Sequence, residues 1–175
     1  MKKNQKGFSL IELLIVVAII LIIAAIAIPN LLRARMAANQ SSAVGSVRTL
    51  VTSNITYSST WGNGFAPTLI TLGGAPGGNA TCGAALLVDN VLATTGQKSG
   101  YNLSYTVGNL NAVAAPGCAG PGGNTFAFTA TPINLGSTGQ TAYCAAEDGV
   151  VRADPTGAMA AGQTDLTCVP FPALQ

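Results

Sequence analysis

The chain has 175 residues, of which 49% are hydrophobic and only 8% are charged, and its formal net charge is +2. Three of the eight basic side chains are Lys2, Lys3 and Lys6, and the rest of the sequence has no basic cluster of the kind that binds nucleic acid. The sequence contains no histidine, which excludes Ser-His-Asp and Cys-His catalysis and histidine-bound metal sites. We therefore expect a protein that is not an enzyme and that needs no cofactor and no metal.

An apolar segment dominates the N-terminal part of the chain. The stretch from Leu13 to Ile28 contains only apolar residues. At about 1.5 Å per residue, a helix from Phe8 to Ile28 spans about 30 Å, which matches the hydrocarbon core of a bilayer. The lysines that precede it favour an orientation with the N-terminus in the cytoplasm and the C-terminal part outside.

A secretory signal peptide and a plain membrane anchor are two interpretations of this segment. Ala25-Ile26-Ala27 offers a signal-peptidase motif, but the apolar stretch is longer than the usual signal-peptide core of about 7 to 15 residues. A plain anchor gives no reason for Glu12, because an ionisable group inside a bilayer costs at least ~2.5 kcal/mol and is usually functional.

A third interpretation comes from the residues Lys6 to Glu12, KGFSLIE, followed by an aliphatic run that ends at Pro29. This pattern resembles the N-terminus of type IV prepilins and of type II secretion pseudopilins. The resemblance implies that a membrane peptidase cleaves after Gly7 and that the same enzyme methylates the new N-terminal residue, Phe8.

The same resemblance implies roles for Glu12 and Pro29. In the assembled filament Glu12 is expected to pair with the Phe8 amine of a neighbouring subunit, since an unpaired charge in an apolar core is costly. The alternative is a carboxylate that stays at the lipid headgroup boundary. Pro29 removes a helix hydrogen bond and is expected to kink the helix.

Beyond Pro29 the sequence predicts an amphipathic continuation of this first helix to about Tyr57. An apolar stripe at helical spacing is expected to cover a sheet, and it consists of Val44, Val47, Val51 and Ile55. Arg33, Arg35 and Arg48 are the charged residues of this half, and three environments remain open for them: acidic groups of neighbouring subunits, solvent, or lipid headgroups.

After Tyr57 the sequence becomes rich in Gly, Pro, Asn and Ser, which indicates loops. A short helix is predicted to end near Gly96. Alternating patterns then predict an antiparallel meander of three or four strands over 101–107, 125–131, 141–146 and 150–152. We thus predict an α+β pilin fold, in which a long N-terminal α-helix with a protruding hydrophobic half packs on a small antiparallel β-sheet.

Four cysteines lie outside the apolar segment, which favours disulfides formed in an oxidising compartment. Of the three possible pairings, we favour Cys82 with Cys118 and Cys144 with Cys168, from their order in the chain and from the family's habit of clamping its C-terminal region. The resemblance to pseudopilins also raises calcium binding by Glu147, Asp148 and Asp154, but their spacing is that of a surface turn.

These observations predict a leader peptide (1–7), an N-terminal helix (8–57, with 8–28 as membrane and assembly segment) and a globular head (58–175). The predicted function is that of a structural subunit of a type IV pilus-like helical filament. The alternatives are a type II secretion pseudopilin and a secreted binding domain released after Ala27. Expected partners are copies of the chain, the prepilin peptidase and methyltransferase, and assembly machinery with a cytoplasmic ATPase. The subunit is expected in the inner membrane before assembly and in an extracellular pilus or periplasmic pseudopilus afterwards.

Overall fold

A computed structural model describes residues 8–75, 77–118, 120–160 and 162–174. The chain divides into two units, Met1–Arg35 and Met36–Gln175. The predicted leader, including Gly7 and the three lysines, lies outside the described residues.

Helix α1 runs over Leu10–Trp61 and contains Pro29 in its interior. Its helical backbone is continuous at Pro29, so the predicted kink stays a prediction. The helix ends one turn later than the sequence indicated. Gly62 follows with a φ of 61° and donates its N–H to the carbonyl of Ser58 at 3.0 Å, which is a common way to close a helix C-terminus.

The second unit contains a five-stranded antiparallel sheet with the strands in chain order. The strands are β1 (Gln97–Lys98), β2 (Tyr101–Leu110), β3 (Gly123–Pro132), β4 (Ala142–Ala146) and β5 (Val151–Asp154). Three short helices accompany them: α2 (Leu69–Leu72), α3 (Asn90–Thr95) and α4 (Asp165–Cys168). The predicted short helix is α3, which ends at Gly96 in the left-handed conformation. The additional strand is β1, which has only two residues and forms the edge of the sheet.

The C-terminal part of α1 packs against this sheet and confirms the predicted α+β pilin fold class. Val47, Leu50 and Tyr57 of α1 are completely buried and share one core with aromatic side chains of β2 and β3. These residues, three and seven positions apart, thus lie on one face of α1, as expected for a helix covering a sheet.

The predicted stripe on α1 is wrong at one end. Ile55 is 47% exposed and Val44 is only partly buried, whereas Val47 and Val51 are buried. The buried face is displaced around the helix because the polar residues Ser46, Ser53 and Asn54 occupy part of it. The apolar pattern alone therefore located part of this face and added residues at its margin.

Asn54 connects three elements inside the core. Its Nδ2 donates to the hydroxyl of Tyr105 on β2 at 3.1 Å, and its Oδ1 accepts from the backbone N–H of Ala66 at 2.9 Å. The Tyr105 hydroxyl donates in turn to the carbonyl of Ala66. Burial raises the pKa of Tyr105, so this phenol remains a neutral donor across the physiological range.

Asn63 forms a second buried link, just after the end of α1. Its Oδ1 accepts from the N–H of Ala115 at 2.8 Å, and its Nδ2 donates to the carbonyl of Gly120 at 3.0 Å. The side chain of Asn111 donates to the Asn63 carbonyl at 2.9 Å. The long connection between β2 and β3 is therefore attached to the end of α1.

Two disulfides cross-link the second unit. Cys82 is bonded to Cys118 with the Cα atoms 5.0 Å apart, and Cys144 to Cys168 with the Cα atoms 5.9 Å apart. This is the pairing favoured from the sequence. The first bond joins the segment between α2 and α3 to the β2–β3 connection, and the second joins β4 to α4.

We predict that replacing Asn54 with leucine lowers the free energy of unfolding by about 1–3 kcal/mol, because the buried N–H of Ala66 loses its acceptor. Urea denaturation of the full chain in detergent, followed by the fluorescence of Trp61, measures this change. The matched control is Thr52→Val on the exposed face, where a change within about 0.5 kcal/mol is expected. Equal midpoints for the two variants would contradict the role of Asn54.

We predict that the purified protein incorporates no alkylating reagent without reductant and reacts at all four cysteines after reduction and unfolding. Mass spectrometry of the intact chain measures the shift, and peptide mapping of the unreduced protein identifies the linked pairs. A peptide joining Cys82 to Cys144 or to Cys168 would refute the pairing.

Candidate functional site

The candidate site is the N-terminal segment of α1, whose side chains are exposed although they are apolar. Phe8 is 82% exposed, and none of the residues in the apolar 18-residue stretch of α1 is buried. Large aliphatic residues with exposed side chains follow over this segment: Leu10, Ile11, Leu13, Leu14, Ile15, Val16, Val17, Ile19, Ile20, Leu21, Ile22, Ile23, Ile26, Ile28, Leu31 and Leu32. By length and composition α1 can cross a membrane. An apolar surface of this extent requires lipid or protein around it.

Glu12 lies in the first turn of α1, where it caps the helix. Its Oε2 accepts a hydrogen bond from the backbone N–H of Ser9 at 2.9 Å, and the carbonyl of Ser9 accepts from Leu13 at 3.2 Å. This contact is half of a capping box, in which the third helical residue binds back to the residue before the helix. A negative charge at a helix N-terminus also interacts favourably with the helix dipole.

The capping contact was missed in the sequence, although the spacing Ser-x-x-Glu before an apolar run is its known signal. It gives Glu12 a role within its own chain. Among the described residues the other carboxylate oxygen, Oε1, has no hydrogen-bond partner, so one oxygen remains for a second donor.

Arg33, Arg35 and Arg48 are exposed on α1. Within the described residues none of the three forms an ion pair with a carboxylate. Arg152 does form one, with Asp148 at 2.5 Å, and its hydrogen bond holds the pKa of Asp148 below its usual value.

The three acidic residues considered for calcium have other contacts. Asp148 binds Arg152, Asp154 accepts from the N–H of Thr156 at 2.9 Å, and Glu147 accepts from the N–H of Phe126 at 3.5 Å. In the part of the chain that the structure describes, no group of three or more metal-binding side chains comes together. Glu147 and Asp148 lie in the turn before β5, and Asp154 is the last residue of that strand.

Comparison with known families places a motif on this segment. The model described as the prokaryotic N-terminal methylation motif matches residues 2–28. The chain carries a prepilin methylation motif. This motif covers Gly7, Phe8, Glu12 and the apolar run, and it confirms the resemblance seen in the sequence.

Two curated relatives are type IV pilins. The chain is 67% identical over 39 residues to the type IV wide pilus major component PilA4 of Thermus thermophilus, which covers 22% of this chain and 30% of that relative. It is 48% identical over 54 residues to the type IV major pilin protein PilA of Myxococcus xanthus, which covers 31% of this chain and 24% of that relative. The chain thus spans less than a third of the length of either relative. No solved structure matches it.

Proposed function

We propose that this chain is a structural subunit of a type IV pilus-like filament. The observation that carries the proposal is the coincidence of the methylation motif at residues 2–28 with an apolar helical segment that is left exposed by the described residues of its own unit. The similarity to two major pilins supports the same conclusion.

Before assembly the subunit is held in the inner membrane by residues 8–28, with Lys2, Lys3 and Lys6 in the cytoplasm and the head (58–175) outside. The membrane peptidase removes residues 1–7 by cleavage after Gly7, and the accompanying methyltransferase modifies the Phe8 amine. Lipid covers the apolar side chains during this stage, which keeps the subunit from aggregating.

Assembly exchanges lipid contacts for contacts with the apolar segments of other copies. Cleavage creates an ammonium group at Phe8, and in the filament Glu12 of a neighbouring copy supplies its counter-charge. The capped geometry suits this role, since Oε2 holds the N–H of Ser9 while Oε1 is available. Breaking a buried ion pair costs about 3–5 kcal/mol, so a subunit placed in the wrong register is strongly penalised.

The energy for moving subunits out of the membrane comes from assembly machinery with a cytoplasmic ATPase. A pseudopilin of a type II secretion system would use the same N-terminal segment and the same machinery. Both relatives are named as major components of type IV pili, which favours the pilus over the pseudopilus. Long surface filaments containing this chain would support the pilus, whereas a secretion defect without filaments would support the pseudopilus.

We predict that the mature protein from native cells begins at Phe8 and carries a methyl group on its amine. Mass spectrometry of the N-terminal peptide measures both features. A bulky replacement, Gly7→Ile, is expected to leave uncleaved precursor in the membrane, because the peptidase must accommodate the residue before the scissile bond. A mature chain that begins at Ile28 would instead identify a secreted domain and refute the proposal.

We predict that Glu12→Gln and Glu12→Val both insert into the membrane and are cleaved, and that both reduce filament yield at least tenfold. Glutamine keeps an oxygen acceptor for the N–H of Ser9 but removes the charge, whereas valine removes both. Sheared filaments are quantified against the membrane pool by immunoblotting.

The two variants separate the roles of Glu12. Wild-type filament yield in Glu12→Gln together with a loss in Glu12→Val would show that the cap matters and the charge does not. Undiminished filaments in both variants would refute any part of Glu12 in assembly.

A further inference from the structure

Two of the three arginines of α1 follow the apolar segment almost at once. Leu31 and Leu32 are still exposed apolar side chains, Arg33 comes directly after them, and Arg35 follows two residues later. Both arginines are exposed, and no carboxylate among the described residues pairs with either. The motif and the proposed ion pair at Phe8 leave these two charges unexplained.

The positions of the two arginines around the helix argue against a single protein partner. Residues two apart in an α-helix are separated by about 200°, so Arg33 and Arg35 lie on nearly opposite sides of α1. A partner docked on one side reaches only one of them. A layer that surrounds the helix reaches both, and the headgroup region of a bilayer is such a layer.

The positions along the helix axis fit the same layer. With a rise of about 1.5 Å per residue, Glu12 and Arg33 are about 31 Å apart along α1, and the hydrocarbon core of a bilayer is about 30 Å thick. When Arg33 lies at the outer boundary, Glu12 therefore lies at the inner boundary, and the part of α1 in the hydrocarbon core is about one turn further along the chain than residues 8–28. Both charges are then in contact with water and headgroups, and the side chains between them are almost all apolar.

We propose that Arg33 and Arg35 bind lipid phosphate groups at the outer boundary of the membrane and so fix the depth of the subunit before assembly. A guanidinium presents a planar fork of N–H donors that matches two phosphate oxygens, and the long arginine side chain lets this charged group stay among the headgroups. The inference rests on one part of the proposed function, namely that the subunit, cleaved or not, resides in the membrane before assembly.

Solid-state NMR tests this directly, through the loss of guanidinium carbon signal caused by nearby phosphorus. The full chain, labelled at the arginine guanidinium carbons, is reconstituted in vesicles of phosphatidylethanolamine and phosphatidylglycerol. We expect part of the signal to be lost in the wild type, this loss to disappear in the double variant Arg33→Gln/Arg35→Gln, and the loss to be retained in Arg48→Gln. Arg48 is the matched control because it is also exposed on α1 but lies in the part that packs on the sheet.

A second experiment distinguishes binding of lipid phosphate from binding of free phosphate. In maltoside micelles with added inorganic phosphate, which contain no lipid phosphorus, we expect no signal loss. Signal loss there would show a site for free phosphate and would overturn the lipid proposal. A wild type without signal loss in vesicles would also overturn it, as would a loss that depends on Arg48. Filament loss in the double variant without phosphorus contact would assign the arginines to carboxylates of a second copy.

The measurement requires neither cleavage nor polymerisation. Phosphorus contact in a chain that never forms filaments would count against the proposed filament function alone. Filaments formed by a chain without phosphorus contact would count against the depth role alone.

Discussion

The exposed apolar surface of α1 between Leu13 and Ile28 is the constraint on which the rest of this protein depends. A surface of this size is stable only in lipid or among other apolar helices, so every stage in the life of the chain has to provide one or the other. This requirement explains why charged residues lie beside the segment and not within it. Glu12 precedes this segment and Arg33 follows it after four intervening residues, so a charge flanks the apolar run on each side.

The second unit differs from the first, because it has few long aliphatic side chains with which to build a core. It uses the C-terminal half of α1 as the cover of its sheet and fills the interface with aromatic residues of β2 and β3. Buried amides of Asn54 and Asn63 hold loops to this core through paired hydrogen bonds. Such buried polar links specify one arrangement, since any displacement leaves a donor without its acceptor.

Much of this architecture was predictable from local patterns. The alternation in β2 and β3 identified the central strands, and Gly96 identified the end of α3, because these features depend on nearest neighbours in the chain. The displaced face of α1 was not predictable, since the buried side chain of Asn54 has a partner far away in sequence, Tyr105. The two-residue strand β1 was too short to show a period. At the candidate site the methylation motif could be recognised from the sequence. The contact between Ser9 and Glu12 could also have been predicted, from the Ser-x-x-Glu spacing, but it was not.

The two disulfides also make the stability of the second unit depend on its redox environment. Thiols stay reduced in the cytoplasm and are oxidised outside it, so the second unit gains the full stability of both bonds only in an oxidising compartment. Loops of 36 and 24 residues closed by these bonds each contribute about 3–4 kcal/mol by the chain-entropy estimate. Reduction removes both contributions, so the second unit is expected to be markedly less stable when its four cysteines are free thiols.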